Sequence, residues 1–530
     1  MTLTTGRWTR RTFLTRVAAA GGYRAMFTAM QSLGLLATVA EASPLPQLAA
    51  NYGLGKKVVI LGAGIAGLVS AYELRKAGFE CIVLEARERP GGRNWTVRNG
   101  SKVEFTDGTV QSCEWEGDNY LNAGPARLPS IHHHILGYCE ELGVPLEVEI
   151  NTSRSTLMQA KDLNGGKPVE QRQVVNDTRG WISELLAKSI DQHGLDQVLS
   201  KDDTERMLTF LQAYGDLDRE YKYKGSERSG VDIGPGAGPD EEKLRTPLKL
   251  HELLVADFST GELYEEQLDW QATMFQPVGG MDRIPYAFAK SLGPIVRYGS
   301  PVSQMRKTDK GVTVVYTDNA SKATQTVQAD YCICTLPITI LDTLDTDFSP
   351  EKKQAFRGMK VASLYKIGWE SPRFWEKKYN IYGGISFTKQ TVDLVWYPSA
   401  KLFSKTGVIL SGFNFEQQDW GSGAPTEFGA LSQEGKLEAS RAAVEALHPG
   451  YGQLLTKPIY VSWQKIPYSL GCLGLNGFPG AKLAYGELSK PDGRYFIAGD
   501  YVSHLSGWQE GAALSAHRAV KGITEQMQNG

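Results

Sequence analysis

The run KKVVILGAGIAGLVSAYELRKAG, residues 56–78, leaves a chain few ways to fold. A short lysine-led stretch ending in four apolar residues reads as a buried parallel strand. Gly62, Gly64 and Gly67 follow it directly as G-x-G-x-x-G. The first glycine permits a tight turn, the second lets a pyrophosphate approach the backbone, and the third lets a helix pack close to the strand. Leu68, Ala71 and Leu74 then recur at helical spacing, and Gly78 is the expected helix stop. CIVLEA is a second buried strand, ending at Glu85, where a carboxylate can accept hydrogen bonds from ribose hydroxyls. The helix start, Ala66 included, offers free N–H groups and partial positive charge to phosphates. Strand, glycine turn, helix and terminal acid together predict a βαβ unit that binds a dinucleotide.

The glycines alone do not separate nicotinamide from flavin dinucleotides. The continuation EARERPGGRNW does. Arg89, Gly91, Gly92 and Arg93 match the Arg-x-Gly-Gly-Arg pattern, and the chain here resembles the flavin amine oxidase superfamily. Further matches are PVGGMDRIP (277–285), Val302 in VRYGSPVSQM, and YFIAGDYVSHLSGWQEG near the C-terminus. The resemblance extends over residues 56–525 and implies FAD as cofactor. It implies an α/β fold: a Rossmann-like FAD-binding domain of the GR2 flavoprotein type, a mixed-sheet substrate domain and a helical subdomain. On this reading residues 1–52 are leader and linker, and 53–130, 270–345 and 480–530 form a discontinuous FAD domain. Residues 131–245 are the helical subdomain, and 246–269 with 346–479 the substrate domain.

By the same resemblance, Glu85, Ala86 and Arg87 meet the adenosine end, and Gly92 passes close to the flavin. Arg93 neutralises pyrophosphate, and Val302 lends a backbone amide to adenine. Gly124, Pro125, Ala126 and Arg127 approach the flavin from one side. Gly499, Asp500, Gly507, Trp508 and Gln509 approach it from the other, with Asp500 accepting from a ribityl hydroxyl.

Three features resemble the L-amino acid oxidase branch. The turn NAGPARLPS contains Gly124–Pro129 as G-P-x-R-L-P. Its Arg127 is expected to fork onto the substrate carboxylate, because a planar guanidinium makes two parallel hydrogen bonds. LVWYPS places Tyr397 where a tyrosine hydroxyl joins that contact, and SGWQEG supplies the Gly507 carbonyl for the amino group and Trp508 as a wall. Lys366, in LYKIGW, matches a lysine that holds a water against the flavin. The implied reaction is oxidative deamination of an L-amino acid by oxygen, through hydride transfer from the α-carbon, giving a 2-oxo acid, ammonia and hydrogen peroxide. A homodimer is implied too. The alternatives on the same fold are an amine oxidase without a carboxylate requirement, an oxidative decarboxylase giving an amide, and a flavin-binding protein without catalysis.

Composition narrows the rest. A formal net charge of -2, without a long basic block, points away from nucleic acid. Six scattered cysteines are too few for a disulfide framework and show no zinc spacing, so free packed thiols and no metal site are expected. His132, His133 and His134 are consecutive, and consecutive helical residues point apart, so solvated or helix-capping roles suit them better than a shared ion. His504 lies near the flavin segment. Trp396, Trp420, Trp463 and Phe413 are candidates for a side-chain pocket or for ordinary core. Residues 131–215 read as helical, and 225–242 as a loop able to cover a site. TRRTFL (9–14), the apolar stretch 25–40 and AEA (40–42) resemble a twin-arginine export signal, which predicts export. The alternative is a cytoplasmic protein that retains its N-terminus, and the apolar run is too short and broken for a stable membrane span.

Overall fold

In the computed structural model, residues 48–417, 424–475 and 481–529 are described; the leader-like segment and Trp420 lie outside them. The opening motif forms β1 (Lys57–Leu61), α1 (Ile65–Lys76) and β2 (Glu80–Leu84). β1 pairs in parallel with β2 on one side and with Tyr331–Cys334 on the other. Val296–Arg297 extends the sheet beyond β2, and Tyr495–Ile497 extends it beyond Tyr331–Cys334, all in parallel. Stretches separated by more than 400 residues thus share one five-stranded sheet. Its central strands are apolar on both faces because both are covered, by α1 on one side and on the other by the antiparallel strands Val302–Lys307, Val312–Thr317 and Thr324–Ala329.

The glycines account for how α1 meets this sheet. A Cβ on Gly67 would stand 2.0 Å from the Gly62 carbonyl oxygen, so only hydrogen allows the helix to start this close to β1. At the other end Gly78 takes φ +86°. Its N–H bonds the Arg75 carbonyl at 3.0 Å and the Phe79 N–H bonds Leu74 at 3.1 Å, the paired bonds of a Schellman stop. The C-terminal helix Gln509–Asn529 packs its small-residue face, Ala512, Ala513 and Ala516, into the same layer.

A second sheet has seven strands in the order Val169–Glu170, Leu157–Gln159, Ile385–Thr388, Leu394–Trp396, Thr406–Phe415, Leu364–Pro372 and Thr456–Ser462. It is mixed: Leu157–Gln159 runs parallel to Ile385–Thr388, and the other neighbours are antiparallel. Its core contains Trp115, Trp369, Trp375 and Trp463, all fully buried.

The segment 131–245, read as a helical subdomain with a loop at 225–242, is more varied. It holds the helices His133–Glu141, Gln171–Asp191 and Lys201–Gly215. It also contributes Leu157–Gln159 and Val169–Glu170 to the large sheet, and Leu146–Glu149 pairs with Met274–Pro277. Strands of two to four residues are too short for alternation to register in a sequence. Within the expected loop 225–242, Val231–Ile233 pairs with Lys243–Leu244 as an exposed hairpin. All six cysteines are unpaired, five buried and Cys472 half-buried. Among the described residues no helix is long and apolar enough to cross a membrane.

Candidate active site

A cavity of about 530 Å³ runs from the first glycine turn to a cluster of aromatic rings. Gly62, at φ +97°, turns the chain out of β1, and Gly64 stands at the N-cap of α1. No side chain caps this helix and no acid lies in its first turn, so its leading amides face the cavity without a protein partner. A Cβ on Gly64 would project into open space. Glu85 is buried and receives N–H bonds from Ala63 (2.8 Å) and Arg87 (2.9 Å), which fix its carboxylate at the edge of the turn. Ala66, Ala86, Arg87 and Val302 line the same end, whereas Gly67 lies beneath it in the helix–strand contact.

Midway along the cavity, Arg93 ion-pairs with Asp500 and donates to the Cys472 carbonyl. Asp500 also accepts the Gly507 N–H at 3.0 Å, and the Gly499 N–H is held by Ser515 at 2.8 Å. Residues 85–93 and 499–509 are thereby joined across the cavity wall. Gln509 and Asn94 bond each other there, while Gln509 Nε2 and Asn94 Oδ1 are buried without a partner. An uncapped helix start, two arginines, and an orphaned donor beside an orphaned acceptor fit a pyrophosphate linked to a polar heterocycle. Gly62, Gly64, Glu85, Arg87 and Arg93 could hold the adenosine diphosphate part of such a dinucleotide, and Asp500 and Gln509 its other end.

The far end is built around NAGPARLPS. Gly124 lies so close to Arg93 that a Cβ would stand 2.0 Å from that residue's carbonyl oxygen, which pins the turn to the cofactor side. Leu128–Pro129 then pairs with Met274–Pro277, anchoring the turn on its other flank. Arg127, 7% exposed, donates to Asn151 Oδ1 and, at 3.1 Å, to the Tyr264 hydroxyl. Its guanidinium also lies 4.5 Å from the Trp396 ring and 5.1 Å from Trp270. Lys366 donates from Nζ to the carbonyls of Asn122 (2.8 Å) and Gly124 (2.6 Å). Burial, reinforced by the nearby Arg127 charge, pushes its pKa down to about 7. Trp463, Phe413, Gly507 and Trp508 complete this part of the wall, with Pro125 and Ala126.

Tyr397 is not in that wall, which corrects the role read for it. It is 1% exposed, and its hydroxyl is shared between Ser386 (2.9 Å) and His448 Nε2 (2.6 Å). The cavity-facing residue of LVWYPS is Trp396. Successive residues of an extended strand face opposite sides, so a reading shifted by one position selects the wrong ring. Asn151 comes from one segment and Tyr264 and Trp270 from another more than 100 residues later, neither with a periodic signal; only the fold shows that they meet Arg127.

The histidine run also differs from expectation. His132 is buried against Asp269 (3.1 Å), with its ring edge toward Trp508, while His134 pairs with Glu510 (2.7 Å). The cap of His133–Glu141 is Glu510 itself, which accepts the N–H groups of His134 (3.0 Å) and Ile135 (2.9 Å). No group of three or more His, Cys, Asp or Glu side chains among the described residues is arranged to hold a metal. His504 is exposed and packs on Tyr485, away from the cavity.

Comparison with known proteins agrees with this geometry. Residues 65–524 match the family described as flavin containing amine oxidoreductase, and the chain belongs to that family. Its cofactor is FAD. The chain is 28% identical over 506 residues to an L-amino-acid oxidase of Siganus canaliculatus, covering 93% of this chain and 88% of the relative. It is 25% identical over 497 residues to the flavin-dependent L-tryptophan oxidase RebO of Lentzea aerocolonigenes, covering 88% and 98%. Among solved structures, cyclohexylamine oxidase from Brevibacterium oxydans IH-35A shares the fold, with a TM-score of 0.58 and 16% identity, over 89% of this chain and 99% of that one.

Proposed function

We propose that the protein oxidises L-amino acids: amino acid, oxygen and water give 2-oxo acid, ammonia and hydrogen peroxide. The observation that carries this reading is Arg127, a buried guanidinium in the cavity wall whose hydrogen-bond partners are an amide and a phenol. A plain amine would gain nothing from a buried cation, whereas a carboxylate would complete it with charge-assisted bonds. Trp396 and Trp270 hold the guanidinium plane, so its orientation is set before substrate arrives. Bound FAD supplies the hydride acceptor. The Gly507 carbonyl would orient the amino group, and the aromatic rings of the wall would exclude water. Above about pH 7 Lys366 carries a free lone pair and can hold a water in the cavity. Export on the twin-arginine-like leader within residues 1–52, and a homodimer, belong to this proposal too.

The test is a panel of L-amino acids and their decarboxylated amines, read by peroxide, ammonia and carbon dioxide release. Arg127→Met should lower kcat/KM for amino acids by an amount corresponding to about 2–5 kcal/mol, the scale for truncating one partner of a buried charge pair. FAD content should be unchanged and the amines unaffected. Wild-type amino acid kinetics in that variant would refute the carboxylate role. Amines oxidised faster than amino acids would favour a simple amine oxidase. Carbon dioxide in place of ammonia would favour a decarboxylase.

A further inference from the structure

Behind the Arg127–Trp396 contact lies an acid that the reaction above does not use. Glu149 ends the strand Leu146–Glu149, opposite Met274, and is 5% exposed. It lines a second, smaller cavity of about 80 Å³, which shares Ala126 and Trp396 with the main one. Its Oε1 accepts the Trp396 indole N–H at 3.2 Å, and its Oε2 is buried with no partner. The same indole is the ring beside Arg127, and it lies 5.9 Å from the Lys366 ammonium. The other charges around the second cavity are already answered: Arg373 by Glu376, and Lys401 by Asp118. Glu147, two residues upstream, is bonded by Gln276 at 3.2 Å; the remaining titratable lining groups are Tyr120 and Tyr397, the latter with its hydroxyl bonded to Ser386 and His448. Arg127 is therefore the cation whose field acts on Glu149.

We propose that Glu149 is a positioning residue that sets how strongly Arg127 attracts the substrate carboxylate. When neutral it leaves the guanidinium charge available; when ionised it competes for it across the Trp396 indole. The proposal rests on the carboxylate-binding reading of Arg127 and adds a pH dependence to it. Burial pushes the Glu149 pKa up to about 7, against the opposing pull of Arg127 and the Trp396 bond. The acid is mostly neutral below that pH and ionised above it. Carboxylate affinity therefore falls as pH rises through about 7, and a bound carboxylate favours proton uptake by Glu149. A ligand with no carboxylate lacks this loss. Lys366 titrates in the same range and weakens carboxylate binding in the same direction, so the two contributions must be separated by substitution.

The experiment uses the FAD-loaded full chain and 3-phenylpropanoate, a carboxylate with no amino group to oxidise. Its Kd is read from the flavin absorbance change between pH 6 and 8.5, in wild type and Glu149→Gln. The glutamine keeps an acceptor for Trp396 and removes the charge. Affinity should fall on the order of tenfold more in wild type than in the variant, equal to one pK unit of mutual coupling. With 2-phenylethylamine, no such carboxylate-specific fall should appear in either protein. Parallel 3-phenylpropanoate profiles would overturn the proposal. If Glu149→Gln does not load FAD, Trp396→Phe serves instead: losing the indole N–H should move the wild-type inflection to higher pH, and an unmoved inflection overturns the proposal. Binding of 3-phenylpropanoate that survives Arg127→Met unchanged would defeat the carboxylate reading itself. Arg127-dependent binding with parallel profiles would defeat only the role of Glu149.

Discussion

Lys366 shows how a single side chain can be both a functional group and a burden on the fold. Its Nζ is buried against two backbone carbonyls, and its pKa sits near 7 rather than at 10.5. Between those values the unfolded chain binds a proton that the folded chain does not, so this residue makes stability rise with pH from about 7 to 10.5. Below about 7 both states are protonated and its full penalty is present. Lys366→Met removes the titration and leaves the Asn122 and Gly124 carbonyls without their donor, a loss that does not depend on pH. The stability of the variant relative to wild type should therefore be greatest near pH 6–7 and decline steadily toward pH 10.5. Unfolding by denaturant at four pH values checks this, and a flat difference would show that Lys366 is not held neutral by burial. The lysine is visible in the sequence only by resemblance, since a lysine between apolar residues equally describes a surface side chain whose stem is covered. Tyr397 and Trp396 mark the limit of such reading, because a one-residue shift along an extended segment changes which ring faces the site.

At the scale of elements, β1, α1 and β2 are legible because every constraint on them is local. The strand is apolar, the turn needs positive φ at Gly62, the helix start needs Gly67, and the stop needs Gly78. The substrate end is less legible because its rings come from scattered pieces: Trp396 from a three-residue strand, Phe413 from near the end of Thr406–Phe415, Trp463 from a single 3-10 turn, and Tyr264 and Trp270 from the short helical turns of 259–270, where no period exists to read. The glycines of the first turn make a paired prediction. Gly64 has φ -73° and open space where a Cβ would go, so Gly64→Ala should fold normally yet intrude on the dinucleotide. Gly67→Ala would drive a methyl into the Gly62 carbonyl, separating helix from strand. The first variant should match the wild-type apoprotein in thermal melting and lose FAD affinity by at least tenfold. The second should melt lower with or without FAD. Equal effects of both substitutions on the apoprotein melt would contradict this division between cofactor contact and packing.

Across the whole molecule, the cofactor cavity is where distant parts of the chain converge. Its wall takes Gly62 and Gly64–Ala66, residues 85–87 and 91–94, the Arg127 turn, Val302, Cys472, and residues 499–500 and 506–509. The protein's own links across it include the Arg93–Asp500 pair, the Arg93 bond to the Cys472 carbonyl, the Asn94–Gln509 bond, the Arg87 bonds to the Pro467 carbonyl and Ser469, and the Lys366 bond to the Gly124 carbonyl. The order of these segments along the chain gives no local clue that they meet. Family motifs reveal it for 62–93 and 499–509, and not for Asn151, Tyr264 or Trp270. A dinucleotide held along this cavity would bind only the folded arrangement, so FAD should stabilise the fold by mass action. The gain is about 2.7 kcal/mol at a free FAD concentration one hundred times its Kd, and about 4.1 kcal/mol at one thousand times. Melting of the apoprotein should therefore rise in proportion to the logarithm of added FAD once the cavity is saturated. Arg93→Gln, which removes one protein link and one phosphate partner together, should melt lower as apoprotein and show a displaced FAD titration, with its saturation shifted to higher concentration. Calorimetry across an FAD series, in both proteins, checks the two effects separately. A melting temperature independent of FAD in the wild type would mean that the segments are held together without the cofactor.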